Sequence, residues 1–281
     1  MDQGKELIRL ALFGRPIKSS LSPSIHRMFA GQFGLDIDFR SIETGIDGFR
    51  EALEAFRLAG GIGCNATLPL KRDAWQLAKG SSPEASQAEA ANTLVYQPSS
   101  GWFAHNTDGA GLVADLSGNH GFDLINQRIL ILGAGGAAAG ILGSLLAAKP
   151  REVVLVNRNL DRARALRERF RTSGKLGVTS WTELPALGSF NLVINATSLG
   201  HQGEAPPLVS SIFAPGALCY DLNYYKASQP LKLLCETMGQ PYIDGLGMLV
   251  EQAAKSFNIW TGKQPQCGPV IDACRSILRT Q

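Results

Sequence analysis

Short apolar runs, most of them ended by glycine or by a polar cluster, set the rhythm of this chain. Leu7–Phe13 is apolar apart from Arg9 and stops at Gly14, the pattern of a buried strand. Ser22 followed by Pro23 reads as a helix start, a capping serine with proline at the first helical position. Ile37–Ile42 alternates as a strand, Gly48–Leu58 has helical spacing, and Gly61–Ala66 is a further short strand. Pro69–Lys79 predicts a helix closed by Gly80. Asn92–Tyr96 and Trp102–His105, joined across P-S-S-G, predict a hairpin.

Beyond Gly109 the pattern changes. Apolar runs at Arg128–Leu132, Glu152–Val156, Phe190–Asn195 and Ala217–Asp221 predict strands, with helices at Ala137–Ala148 and Leu160–Arg171 between the earlier ones. Strands that alternate with helices in this way predict a parallel, doubly wound sheet. Two last helices, Leu246–Trp260 and Pro269–Leu278, follow Gly245 and Gly247.

Length and composition narrow the class. A chain of 281 residues suits two modest domains or one large one. Its 27 basic and 24 acidic residues leave a net charge of +3, too balanced for a nucleic-acid or membrane-surface protein. Ile129–Ala148 is a span-length stretch without a charge, but G-A-G-G splits it into a strand and a helix, so no membrane segment is expected. The N-terminus has no apolar signal region. Five cysteines, an odd number without C-x-x-C, predict reduced thiols in a cytoplasmic protein and no metal site.

The chemistry lies in three polar segments. Gly133-Ala134-Gly135-Gly136-Ala137-Ala138 fits G-x-G-x-x-[GA] between a strand and a helix. Its glycines allow a tight turn and close approach of a pyrophosphate to the helix N-terminus. At the end of the next strand stand Asn157 and Arg158, with Arg162 one turn on, where an NAD site usually places a carboxylate. Two guanidinium groups fit a 2′-phosphate, which predicts NADP. The arginines that follow, Arg164 to Arg171, read as a solvated helix face.

N-A-T-L-P-L-K ends in Lys71, in the first turn of its helix beside Arg72, where a cation opposes the helix dipole. A positive field there also favours a neutral amine that can exchange protons. N-T-D-G carries Asp108, a natural N-cap by position. Asn65, Thr67 and Asn106 suit turns in the same way. Beside a redox cofactor loop, however, a Lys–Asp pair can hold a hydroxyl and move its proton. Ser20, Ser22, Tyr224 and Gln252 are further polar residues at element ends.

Taken together, these motifs resemble shikimate dehydrogenase from about Leu10 to Ala273. G-R-P-I-K-S-S-L-S-P is similar to the family's opening motif, and the resemblance makes Ser20 and Ser22 the serines that hold the substrate carboxylate. It makes Lys71 and Asp108 catalytic and gives Asn65, Thr67, Asn92, Tyr224 and Gln252 to the substrate. To the cofactor it gives Gly133, Ala134, Gly135, Gly136, Ala137, Asn157, Arg158, Arg162, Thr197, Leu222 and Gly245. The implied fold is α/β: a substrate domain of residues 1–108 and 245–281, and a Rossmann-type NADP domain of residues 109–244. The last helices return to the first domain. The implied reaction is the reversible reduction of 3-dehydroshikimate to shikimate by NADPH, in chorismate and aromatic amino-acid biosynthesis, by a monomer or homodimer.

Some positions depart from the family pattern. His105 precedes N-T-D-G where an acidic residue or glycine is common, and it reads either as a strand-end residue or as a contact to the site. Asn159 replaces a common threonine, and Leu222-Asn223 a common Met-Phe pair, all at positions that bear on cofactor affinity. An NAD-dependent quinate/shikimate dehydrogenase should carry an acid at Asn157-Arg158, and a folate-linked NADP dehydrogenase should lack the serines and N-T-D-G. A shikimate or nucleotide sensor without turnover should have lost Lys71 or Asp108. Because both expected domains supply residues, closure at Asp108–Gly111 and Gly245–Gly247 is also expected.

Overall fold

The computed structural model describes residues 7–280. The chain divides into two compact units, Met1–Gly111 with Val250–Gln281, and Leu112–Leu249.

In the first unit, β1 (Ile8–Gly14), β2 (Ile37–Glu43), β3 (Gly61–Ala66), β4 (Gly80–Ser81), β5 (Thr93–Gln97) and β6 (Gly101–His105) form one sheet, in the order β2-β1-β3-β5-β6-β4. β1 is parallel to both its neighbours and buries Leu10, Ala11, Leu12 and Phe13, so its near-continuous apolar run reflects burial on both faces. α1 (Ser22–Phe33) and α2 (Ile46–Leu58) connect the parallel strands. α1 ends at Gly34, whose φ of 61° is left-handed and lets its N–H reach back to Ala30 and Gly31. β5 and β6 are the expected hairpin, antiparallel from Thr93↔His105 to Gln97↔Gly101. The sheet mixes parallel and antiparallel pairs because this hairpin is grafted onto the β1–β3 core.

Two local expectations are corrected. The helix foreseen over Pro69–Lys79 is shorter, α3 (Lys71–Leu77): Ala78 is extended, and Gly80 opens β4 on the edge beside β6 instead of capping a helix. Ser22 is the first residue of α1, not its cap; that place falls to Leu21, and the Ser22 N–H is donated to Ser20 Oγ. A further short helix, α4 (Pro83–Ala88), starts at Ser82, whose hydroxyl caps Ala85 N–H. α5 (Asp108–Ala114) carries the chain out of this unit.

The second unit is a wholly parallel sheet of β7 (Arg128–Leu132), β8 (Glu152–Val156), β9 (Leu176–Thr179), β10 (Phe190–Asn195), β11 (Phe213–Asp221) and β12 (Tyr242–Ile243). Its order, β12-β11-β10-β7-β8-β9, reverses between β7 and β10. That is the doubly wound arrangement, with its ligand crevice beyond the carboxyl ends of the strands at the reversal. α6 (Gly136–Ala147), α7 (Leu160–Arg169) and α8 (Gln229–Thr237) are its long helices. The uncharged stretch Ile129–Ala148 is β7 and α6, and no described helix is long and apolar enough to cross a membrane.

α9 (Leu246–Thr261) returns the chain to the first unit and α10 (Gly268–Arg279) follows. Both C-terminal helices belong to that unit's core. Trp260 Nε1–H is donated to Leu94 C=O at 2.9 Å, and α10 packs on α1.

Candidate active site and cofactor cradle

In the first unit, the ends of β3 and β6 and the starts of α3 and α5 meet. Asn106 Oδ1 accepts the N–H of Asp108 at 3.1 Å, and its amide is donated to Ala90 C=O, so an Asx turn aims the chain into α5. The carbonyl of Lys71 accepts Ala91 N–H at 2.7 Å, which ties the start of α3 to the segment before Asn92. The side chains then converge. Lys71 Nζ is donated to Asp108 Oδ2 at 2.5 Å. Asp108 is buried and Lys71 is part-exposed, so the ion pair has one dry side and one open side. The Asp108 carboxylate bonds to Lys71 and Asn92, a use that the capping reading did not foresee.

Asn92 organises the rest. Its Nδ2 faces Thr107 Oγ1 at 2.7 Å, Gln252 Oε1 at 2.9 Å and Asp108 Oδ1 at 3.0 Å. Its Oδ1 accepts Thr107 N–H at 2.9 Å and Thr93 Oγ1–H at 3.0 Å. Thus Lys71, Asn92, Asp108 and Gln252, each expected from sequence, form one hydrogen-bonded cluster. Asn65 lies behind it, bonded to Asn92 C=O, Thr93, Ser256 and His26.

The two serines are placed differently. The Ser20 hydroxyl is donated to Ser22 Oγ at 3.2 Å, and among the described residues no hydrogen bond joins this pair to the Lys71 cluster. The loops that carry them adjoin through the backbone, with Thr67 N–H to Phe13 C=O at 2.9 Å and Arg15 N–H to Leu68 C=O at 2.8 Å. The Thr67 methyl lies where a side chain on Gly14 would have to go. His105, at the end of β6, packs on Phe103, and burial lowers its pKa while Glu84 raises it.

Sequence reasoning missed His26, Thr93 and Ser256. His26 sits on the buried face of α1, stacked on Phe39 at 4.6 Å. Ser256 did carry a signal: it follows Gln252 by four residues, so one helical face presents two polar groups to a core.

The second unit carries the expected cofactor residues at the carboxyl ends of its strands. Gly133 follows β7 with φ of 104°, and a Cβ there would stand 3.1 Å from Ala196 C=O. Only glycine suits that position. Around Gly135 and Gly136 an added Cβ would meet nothing within 4 Å, and α6 starts there with no capping side chain. The helix start thus has no side-chain cap and room beside both glycines, features that suit a pyrophosphate. Ala134 is buried beneath that turn, and Ala137 lies in the first turn of α6.

After β8, Asn157 Nδ2 is donated to Asn159 C=O at 2.7 Å, and Asn159 caps α7 by accepting Arg162 N–H. Arg158 and Arg162 are exposed, while Asp161, the acidic residue of that first turn, pairs with Arg164. Two cations beside a capped helix start fit a phosphate monoester.

After β10 and β11, Thr197 Oγ1 is donated to Asn195 Oδ1 at 2.7 Å, and Asn195 Nδ2 is donated to Asp221 Oδ1 at 2.9 Å. Leu222 N–H is donated to Asn195 C=O at 3.0 Å. Gly245 backs onto Leu222, with no room for a side chain. Asp221 is fully buried, and burial raises its pKa from 3.8 to about 6 against the pull of Asn223 and Asn195. Tyr224 is half-buried, just before a 3₁₀ turn at Tyr225–Ser228. All five cysteines are free thiols, and among the described residues no group of three or more His, Cys, Asp or Glu could hold a metal ion.

Three family models match the chain: the shikimate dehydrogenase substrate binding domain over residues 12–94, shikimate / quinate 5-dehydrogenase over 116–202, and the shikimate 5′-dehydrogenase C-terminal domain over 245–275. The NADP(+) shikimate dehydrogenase of Alkalilimnicola ehrlichii is 46% identical over 268 residues, covering 95% of this chain and 98% of the relative. An enzyme from Pseudomonas putida has a similar structure, with a TM-score of 0.88 and 40% identity over 95% of this chain and 97% of that one. The shikimate 5-dehydrogenase of Thermus thermophilus, solved with NADP(H) and shikimate, has a TM-score of 0.82 and 31% identity. It covers 96% of this chain and 99% of its own.

Proposed function

Because the chain belongs to the NADP-dependent shikimate dehydrogenases, oxidoreductases of aromatic biosynthesis, we propose that Lys71 and Asp108 manage the proton in this reaction. The reaction is the reversible reduction of 3-dehydroshikimate to shikimate. The observation that carries this reading is the Lys71–Asp108 contact at 2.5 Å, with one dry side and with Asn92 on the second carboxylate oxygen.

NADPH, when bound, supplies a hydride to the carbonyl carbon. The chain supplies the rest. The Lys71 ammonium donates to the carbonyl oxygen, steadies its growing charge and gives it a proton, so that C=O becomes CH–OH. Asp108 holds the ammonium in place. In the reverse direction Lys71 takes the hydroxyl proton while hydride leaves the carbon.

Ser20 and Ser22 would donate to the substrate carboxylate, a neutral hydroxyl clamp. Thr67, Asn92 and Gln252 would take ring hydroxyls. Tyr224 belongs to the second unit, and its assignment to the substrate rests on the sequence resemblance. Gly133–Ala137 and the start of α6 would cradle the pyrophosphate, and Asn157, Arg158 and Arg162 the 2′-phosphate. Thr197, Leu222 and Gly245 would serve the nicotinamide side. On this reading residues 1–108 and 245–281 bind substrate and residues 109–244 bind NADP. Free cysteines suit a reducing cytoplasm.

The test is Lys71→Ala, assayed by nicotinamide absorbance with shikimate and NADP, beside NAD and quinate controls. Turnover should fall about a hundredfold to ten-thousandfold, with thermal midpoint and NADP affinity near native. Native turnover in the variant would refute the role of Lys71, and a preference of the native enzyme for NAD or quinate would refute the clamp.

A further inference from the structure

His26 and Asn65 are buried behind the catalytic cluster, and the direction of every hydrogen bond between them is fixed by one backbone carbonyl. Asn92 C=O can only accept. Asn65 Nδ2 faces it at 3.1 Å, so the Asn65 amide can be oriented in one way only. Its Oδ1 then faces His26 Nε2 at 3.2 Å, and that nitrogen must be the donor. His26 therefore carries its proton on Nε2. Its Nδ1 has no partner, which a bare lone pair tolerates better than a buried N–H would.

The amide of Asn65 has two hydrogens and three oxygens within 3.2 Å: Asn92 C=O, Thr93 Oγ1 and Ser256 Oγ. Only 6% of the residue is exposed. No N–H is left for a ligand. One hydrogen serves Asn92 C=O, so the second reaches Thr93 Oγ1 or Ser256 Oγ, two hydroxyls 2.7 Å apart of which one donates to the other. With Ser256 donating to Thr93 Oγ1 at 2.7 Å, the Thr93 hydroxyl is left to donate to Asn92 Oδ1 at 3.0 Å. With Asn92 Oδ1 held by Thr93 and by Thr107 N–H, its Nδ2 has to face Asp108.

We infer that His26 and Asn65 are positioning residues, a buried pair that aims the Asn92 amide at Asp108 without touching the substrate. This rests on the catalytic reading of Lys71 and Asp108. The imidazole is clamped for the task, stacked on Phe39 at 4.6 Å and against Trp260 at 5.2 Å. Burial pushes its pKa down to about 3, so it remains a neutral, single-tautomer donor at working pH.

Two measurements test the inference. The first uses His26→Phe, which keeps a ring in the aromatic cage and removes the donor, and His26→Gln, whose amide nitrogen replaces Nε2. In His26→Phe, kcat should fall roughly tenfold, as one unmet buried hydrogen bond entails, with shikimate KM nearly unchanged. His26→Gln should keep most of kcat. Native kcat per folded enzyme in both variants would overturn the inference. So would a raised shikimate KM at constant kcat, which would make Asn65 a substrate ligand.

The second measurement needs no variant. Histidine nitrogen NMR of the intact enzyme should show one of its four imidazoles protonated on Nε2 alone and not titrating between about pH 5 and 8. If every ring titrates there, or if the non-titrating ring carries its proton on Nδ1, the inference fails even where variants do not fold. Lys71→Ala in the same series separates the two readings. If it keeps turnover, the catalytic assignment fails, while the tautomer and the Phe/Gln contrast still report on His26.

Discussion

In the first unit Lys71, Asn92, Asp108 and Gln252 bond to one another at 2.5–3.0 Å, whereas in the second Gly135, Gly136, Arg158 and Arg162 face outward. One half of the machinery is made of side chains that already bond to one another. The other offers the start of a helix and solvated cations, which on the proposed reading an anion would complete. The difference follows from the tasks proposed for them. Proton transfer needs groups held to within tenths of an ångström, and packed networks supply that. A pyrophosphate and a 2′-phosphate carry their own charge and find a dipole and two guanidinium groups without a rigid frame.

Acid should separate the two units most strongly. Burial lowers His26 from 6.5 to about 3, so its contribution to stability is present above pH 6.5 and is lost as pH falls toward 3. Burial raises Asp221 from 3.8 to about 6, so its contribution is present below pH 3.8 and is lost as pH rises through about 6. Between about pH 6 and 4 the two should change with opposite sign, each by about 3 kcal/mol. Urea unfolding of native enzyme, His26→Phe and Asp221→Asn across that range would reveal it. The stability difference from native should shrink with acid for His26→Phe and grow for Asp221→Asn; differences of like sign would break the comparison.

The next effect concerns the cofactor alone. Arg158→Ala or Arg162→Ala should weaken NADP by about 1.5–3 kcal/mol, at least tenfold in KM. NAD and shikimate KM values should stay near native. An unchanged NADP-to-NAD ratio would remove the phosphate clamp from the second unit.

The smallest effect compares one lesion in both halves. Ser82→Ala and Asn159→Ala each remove a helix N-cap and should each cost about 1 kcal/mol in the denaturation midpoint. Only Asn159→Ala should also raise the NADP KM. If Ser82→Ala raised it equally, Asn159 would be a cap and nothing more.

The legibility of the sequence follows the same divide. In the parallel sheet, Arg128–Leu132, Glu152–Val156 and Phe190–Asn195 were readable to the residue, because strands buried on both faces are continuous apolar runs. β9 was not, since Leu-Gly-Val-Thr is a half-buried edge with little apolar signal. α3 was read too long because the pairing of Gly80–Ser81 with Phe103–Ala104 is a contact that no local pattern encodes. Lys71, Asn92, Asp108 and Gln252 came together as a set through the resemblance; taken singly, Lys71, Asp108 and Gln252 each had an ordinary structural explanation. His26, Thr93 and Ser256 stayed hidden because one polar residue on an apolar face looks the same whether it is isolated or answered from across the core.

Asn92 has one further consequence. Its amide offers two hydrogens to three oxygens, Thr107 Oγ1, Asp108 Oδ1 and Gln252 Oε1. The resting cluster is therefore one proton short, since the Asn92 amide cannot give a separate hydrogen to each of the three oxygens. On the proposed reading, a substrate hydroxyl would supply the proton this cluster lacks, so the shortage itself would favour guests that can donate.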